Sequence, residues 1–233
     1  MPKQNFYSQI ILILIIVTFL QPSSAFSQFL QYDWTQSYST HETARVLDKE
    51  EFAFCFGVNN YHLAGRPDSI AHDLLTFDIM IRYGIVNNFE FALKYSHPSA
   101  ALVRVKYGLM KAPVAIAAEF GIGQYKLTSQ DYDTDYIIDL YPGIILEKQI
   151  YKGISLFAAP KFIYSFFIAD RFASPPRIPW KIERCYQFGY AWGIAWGNKQ
   201  TSFNLEYNSY WSKYEKAEYK VHQFGFGITR FFK

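Results

Sequence analysis

Tyr186-Gln187-Phe188-Gly189-Tyr190-Ala191-Trp192-Gly193-Ile194-Ala195-Trp196-Gly197 is the stretch whose reading decides the fold. Its even-numbered positions are all large and apolar, and its odd-numbered positions are small or polar. Successive side chains leave opposite faces of an extended backbone, so a period of two marks a β-strand. On a helix the same rings would be scattered around the circumference. One face of this strand is a wall of rings and the other is nearly bare. Rings against acyl chains, with little bulk on a crowded interior, suit the wall of a membrane barrel. On that reading Phe188, Tyr190, Trp192 and Trp196 face lipid.

Working outward, the same alternation recurs along the chain. Aromatic residues make up 20% of the 233 positions, with 19 Tyr and 22 Phe, yet the mean hydropathy is only −0.07. Averaging the two faces of a strand hides an apolar one, which reconciles these values. Segments beginning near residues 51, 73, 89, 101, 114, 135, 153, 186, 201 and 219 each alternate large apolar with small or charged residues. They predict an all-β, closed, antiparallel up-and-down transmembrane barrel of about ten strands spanning 51–233. Pro142, inside the sixth segment, predicts a bulge or a local break in the ladder.

The connections alternate in length. Val86-Asn87-Asn88, Met110 to Pro113, Lys148 to Lys152 and Asn198-Lys199-Gln200 read as tight turns, separated mostly by longer polar links. Short periplasmic turns and longer external loops are the expected asymmetry, which puts both termini in the periplasm. Arg82-Tyr83-Gly84-Ile85 and Lys106-Tyr107-Gly108-Leu109 form a faint repeat, each closing a strand before a tight turn. A tyrosine there falls in the interfacial aromatic girdle.

Residues 1–27 read as a secretory signal peptide. Lys3 precedes an apolar core from Ile10 to Leu20, and Ala25-Phe26-Ser27 fits a small-x-small cleavage site. That core is short of the roughly 20 residues a spanning helix needs. Residues 28–50 are polar and irregular and are expected to form a periplasmic N-terminal segment. Its last part, Thr43 to Glu50, looks like the entry segment that precedes the first strand in small outer-membrane barrels. A net charge of +3 without a Lys/Arg cluster argues against nucleic acid as a partner. Cys55 and Cys185 fall on the small-residue face toward opposite rims, which predicts free thiols with neither a disulfide nor a metal site.

The terminal run, Gln223-Phe224-Gly225-Phe226-Gly227-Ile228-Thr229-Arg230-Phe231-Phe232-Lys233, resembles the C-terminal strand signal of bacterial outer-membrane barrels. Gln223, Gly225, Phe226, Ile228 and Phe232 carry the match. Arg230 interrupts the apolar parity and Lys233 follows the terminal aromatic, both departures from the pattern. The resemblance covers about residues 51–232 as a pattern class. It implies residence in the bacterial outer membrane, outer-membrane lipid as surroundings, and recognition of the last strand by the barrel-assembly machinery.

Parity assigns an inward charged set. Its acids are Asp78, Glu90, Glu119, Asp139, Glu147 and Glu206, and its bases are Arg82, Lys94, Arg104, Lys106 and Lys161. Mixed signs in a narrow lumen predict a salt-bridged network, because unpaired buried charge is costly. The function expected is a structural or limited-transport role, with no catalytic residues and no cofactor. Three other readings stand beside it. A small porin-like channel would use the same charges to line a pore. A rim hydrolase would draw on His62, His72, His97 and His222 near the long-loop end, although His62, His97 and His222 share parity with the lipid-facing set. A secreted lipocalin-like barrel would turn the rings inward around a ligand. The loop Ala169 to Glu183, with Arg171, Phe172, Arg177 and Trp180, is the place for contact with an external partner whose identity is unknown.

Overall fold

The computed structural model describes residues 41–64, 72–97, 100–127, 135–168, 182–214 and 217–233. The signal-peptide reading, the loop from Ala169 and the side chain of Cys185 lie outside the described residues. Ten strands follow one another: β1 (Phe52–Ala64), β2 (His72–Val86), β3 (Phe89–His97), β4 (Ala100–Met110), β5 (Ala115–Leu127), β6 (Asp135–Tyr151), β7 (Ile154–Ile168), β8 (Ile182–Gly197), β9 (Thr201–Tyr214) and β10 (Ala217–Phe232). Each pairs antiparallel with its chain neighbours, and β1 pairs with β10 to close the barrel. Closure leaves no strand of the barrel as a free edge.

The period-two pattern sets the two faces as the sequence predicts. On β8, Phe188 is 60% exposed and Trp192 56%, whereas Ala191 between them is 1% exposed. The same holds around the wall, with Leu93, Val103, Ile122, Leu156, Leu205 and Phe224 outward. Outward rings pack across strands, among them Phe162 with Phe188 at 4.9 Å and Tyr207 with Phe224 at 4.8 Å between centroids. A continuous apolar exterior over a charged interior is a barrel turned toward lipid, and it excludes the lipocalin-like arrangement.

Four tight turns gather at the end where β1 begins and β10 finishes, here called the short-turn end. The β2–β3 turn places Asn88 at φ 67° and the β6–β7 turn places Gly153 at φ 76°. Asn and Gly are the residues that adopt this left-handed conformation at least cost. The ladder bulges occur at this end, between Gly84 and Val86, Gly108 and Met110, and Gln149 and Tyr151. At Pro142 the β6–β7 ladder skips Tyr141 and Pro142 and resumes at Gly143 in the same register, a local break without a bulge.

Two interior fillings are visible. On β8 the bare face makes room for rings from its neighbours: Phe157 lies opposite Gly193, and Tyr210 opposite Gly189. A Cβ at either glycine would collide with those rings. The other filling is a stretch of chain.

Candidate functional site

Residues 41–50 lie inside the barrel. The polar segment ahead of β1 turns into the lumen, and its backbone is tied to the wall. At the short-turn end the Glu50 amide donates to the Gly84 carbonyl (2.9 Å) and the Lys49 amide to Asn87 Oδ1 (3.2 Å). Leu47 is buried with Ala53 and Phe231, and its amide donates to Glu90 Oε2 at 2.8 Å. Ala44 packs on Ala117, Ile145, Ala159 and Ala191, with Val46 against the same cluster.

Glu42 is the centre of the arrangement. Its Oε1 meets Arg82 Nε at 3.1 Å and the Arg104 guanidinium, and its Oε2 accepts from Lys106 Nζ at 2.6 Å. Burial pushes this carboxyl up, but Arg104, Arg82 and Lys106 together outweigh that and hold it well below the ordinary carboxylate range. The same three cations meet two carboxylates of the wall. Glu90 takes Arg82 (2.7 Å) and Lys106 (3.1 Å), and Glu119 takes Arg104 (3.2 Å). The wall therefore offers three cations and two carboxylates here, and Glu42 supplies the missing charge. Arg82 and Lys106 also donate to the carbonyls of Arg45 (3.0 Å) and Thr43 (3.3 Å).

The Arg/Lys-Tyr-Gly repeat thereby acquires a mechanical meaning. Arg82 and Lys106 grip Glu42 from β2 and β4, while Tyr83 and Tyr107 face outward. Gly84 and Gly108 leave space where Asp48 and Val46 pass.

Deeper in the lumen, His41 sits against two adjacent glycines, Gly57 and Gly227, which are paired across β1 and β10. A side chain at Gly57 would occupy the place of the imidazole. His41 Nε2 lies 2.9 Å from Asp78 Oδ2, and its backbone amide donates to Glu206 Oε2 at 2.9 Å. Asp78 also receives Lys94 (3.0 Å) and Asn59 (3.0 Å), and Lys161 stands 3.7 Å from Glu206.

Of the inward charged set, Asp78, Arg82, Glu90, Lys94, Arg104, Lys106, Glu119, Lys161 and Glu206 thus converge on two linked clusters, both built around the segment that precedes β1. Two residues stand apart. Asp139 is fully buried but accepts from the Tyr141 hydroxyl (3.1 Å), with no described cation at ion-pair distance. Glu147 is half-buried and faces a cavity at the short-turn end. Both lie on β6, where the neighbouring inward positions are small or apolar, so the expected pairing lacks a cation on that side. The terminal-strand residues divide by parity: Gln223 and Gly225 are buried, while Phe226, Ile228 and Phe232 face out. Arg230 also faces out and donates to Thr201 Oγ1 at 2.7 Å. Cys55 is buried and free. His62, His97 and His222 stand on the outward parity, half-buried, and His222 shares a 2.6 Å hydrogen bond with the Tyr207 hydroxyl.

Sequence reasoning missed His41 and Glu42. The available signal was a charge count across four strands: inward positions on β2–β5 carry Arg82, Lys94, Arg104 and Lys106 against only Asp78, Glu90 and Glu119, one acid short.

No protein-family model matches the chain, and no curated protein matches it. Among solved structures, Neisserial surface protein A is similar at 9% identity and a TM-score of 0.42, covering 77% of this chain and 96% of that one. The translocator domain of the autotransporter NalP from Neisseria meningitidis is similar at 12% identity and a TM-score of 0.41, covering 88% of this chain and 92% of that one. Ail of Yersinia pestis, solved with a heparin analogue, is similar at 12% identity and a TM-score of 0.37, covering 79% of this chain and 99% of that one. These are distant likenesses of shape.

Proposed function

We propose that the protein is a resident of the bacterial outer membrane whose barrel is closed by its own residues 41–50, and that it serves a structural role without catalysis. The observation that carries this is Glu42, fixed between Arg82, Arg104 and Lys106 in the lumen. An unpaired charge is costly there, so withdrawing the segment would strand a cation and leave Glu42 itself to be resolvated. Export by a signal peptide in 1–27, termini in the periplasm and delivery to the assembly machinery by the last strand complete the reading. The outward aromatic wall, the tight turns at the end where β1 starts, and the terminal Phe232 support it. The outward parity of His62, His97 and His222 speaks against a rim hydrolase, which needs groups converging on one point.

Conductance in planar bilayers tests the closure. The purified barrel should give no steady ohmic conductance, and Glu42→Gln, or deletion of residues 41–47, should open one. A steady pore in the unaltered protein would instead favour the porin-like channel.

A further inference from the structure

We propose that a divalent transition-metal ion of the zinc class binds on the outer wall near the long-loop end, held by His62 and His222 with Asp73 as the third ligand. The register puts these residues in one row across adjacent strands. His62, close to the Ala64 end of β1, lies directly opposite His222 on β10 and, on its other side, directly opposite Asp73 on β2. Imidazole and carboxylate are ligands that such an ion takes, with water completing an open site.

Directly opposed residues on one face of an antiparallel pair have Cβ atoms about 4.5–5.5 Å apart. Two imidazoles rooted at that spacing can reach one ion at about 2.0–2.1 Å from each nitrogen. Both rings are half-buried on the outward face, and they stand close enough for each to feel the charge of the other. Among the described side chains no three metal-binding groups converge. The two histidines are therefore the described ligands, and Asp73 enters by its register position.

A second observation orients the pair. The Tyr207 hydroxyl lies 2.6 Å from His222 Nδ1, and the two rings stack. With the proton on Nδ1, that nitrogen donates to the Tyr207 oxygen and Nε2 keeps its lone pair for a metal. An outer hydrogen bond of this kind fixes the tautomer and ring orientation of a ligating histidine. On the next outward rung Lys220 holds its Nζ 5.6 Å over the Trp211 ring, on the β9 side and away from β1. The rung beneath carries Leu75, Asn60 and Phe224, and the one after it Phe77, Val58 and Phe226. The row of ligands thus stands where the apolar wall ends.

Calorimetric titration of the detergent-solubilised protein with zinc chloride tests this, with magnesium chloride as the hard-cation control. One saturable zinc site per barrel is expected, and no saturable magnesium binding. His62→Ala and His222→Ala should each weaken zinc binding at least tenfold, and Asp73→Asn and Tyr207→Phe several-fold. His97→Ala, outward on β3 but outside the row, should leave it unchanged. In magnetic resonance spectra of protein carrying isotope-labelled histidine, zinc should shift two imidazoles, and each single-histidine variant should lack one of them. Heat-modifiable gel mobility checks that each variant is folded. Absence of saturable zinc binding would overturn the proposal, as would an equal loss from His97→Ala or shifts confined to other imidazoles. Undiminished affinity in Asp73→Asn would overturn the three-ligand site.

Discussion

The two sides of the lumen fill the same kind of space by opposite chemistry. Toward β2–β5 the wall presents Asp78, Arg82, Glu90, Lys94, Arg104, Lys106 and Glu119, and the space is completed by His41 and Glu42. Toward β6–β9 it presents mainly Ile145, Phe157, Ala159, Ile163, Ala191 and Tyr210, with rings set against glycines, and its charges are few: Lys161 beside Glu206, and Asp139. The segment 41–50 serves both: Glu42 is drawn to the ionic wall, and Ala44 and Val46 lie on the apolar one. The ionic side therefore decides where the segment sits, since ion pairs demand particular partners. The apolar side contributes dispersion and burial, which are far less particular about register.

The sharpest way to break this division is Glu42→Gln. It keeps the shape and removes the charge, leaving three cations facing two carboxylates. Breaking a buried pair in this way costs about 3–5 kcal/mol, read as a lower denaturant midpoint. Adding Lys106→Met should recover part of the loss by restoring neutrality; no recovery would mean that Glu42 acts through packing alone. On the other side, Phe157→Ala opens a cavity beside Gly193 and should cost about 3 kcal/mol. Its cost should be the same at pH 8 and pH 4, because no charge is involved. Equal pH sensitivity in the two variants would erase the distinction between the sides.

Next in size is Gly57→Ala. A methyl group there meets the His41 ring, and overpacking of this kind costs about 1–3 kcal/mol. The double change with His41→Ala should be milder than the sum of the two single changes. Strict additivity would place the imidazole elsewhere.

Most of the barrel was legible because its signal is redundant. Each of the ten strands repeats the period of two, so an error in one leaves the count intact. Face assignment followed for the same reason, down to Arg82, Lys106 and Glu119. The segment 41–50 was not legible as a lumenal element, because it has no period and makes its contacts one residue at a time. Glu42 bonds three side chains 40 to 64 positions away in sequence, and nothing local in Thr40-His41-Glu42-Thr43 announces them. The repeated Arg/Lys-Tyr-Gly was visible, but its tyrosine drew the attention that its cation and glycine merited. Asp139 and Glu147 show the converse limit. Parity sends a charge inward, yet only the neighbouring strands determine whether a counter-charge meets it.

The smallest effect expected is that of pH across the neutral range. The groups facing Glu42 are Arg82, Arg104 and Lys106, with Glu90 and Glu119 beyond them. Burial raises the Glu42 carboxyl, but the three cations more than offset it, and the folded protein holds it below its unfolded value of roughly 4.3. A depressed carboxylate contributes stability that is complete above the unfolded value and is lost as pH falls through the folded one. Between pH 8 and pH 5 both states carry the same charge at this position, so stability and lumen closure should change little on its account. In stronger acid the unfolded chain takes up a proton that folded Glu42 still refuses, and the contribution declines. Conductance and denaturant midpoints measured from pH 8 to pH 3 should therefore stay level at first and then fall, with Glu42→Gln removing part of the acid limb. An opening within the neutral range that survives Glu42→Gln would show that Glu42 does not control the segment.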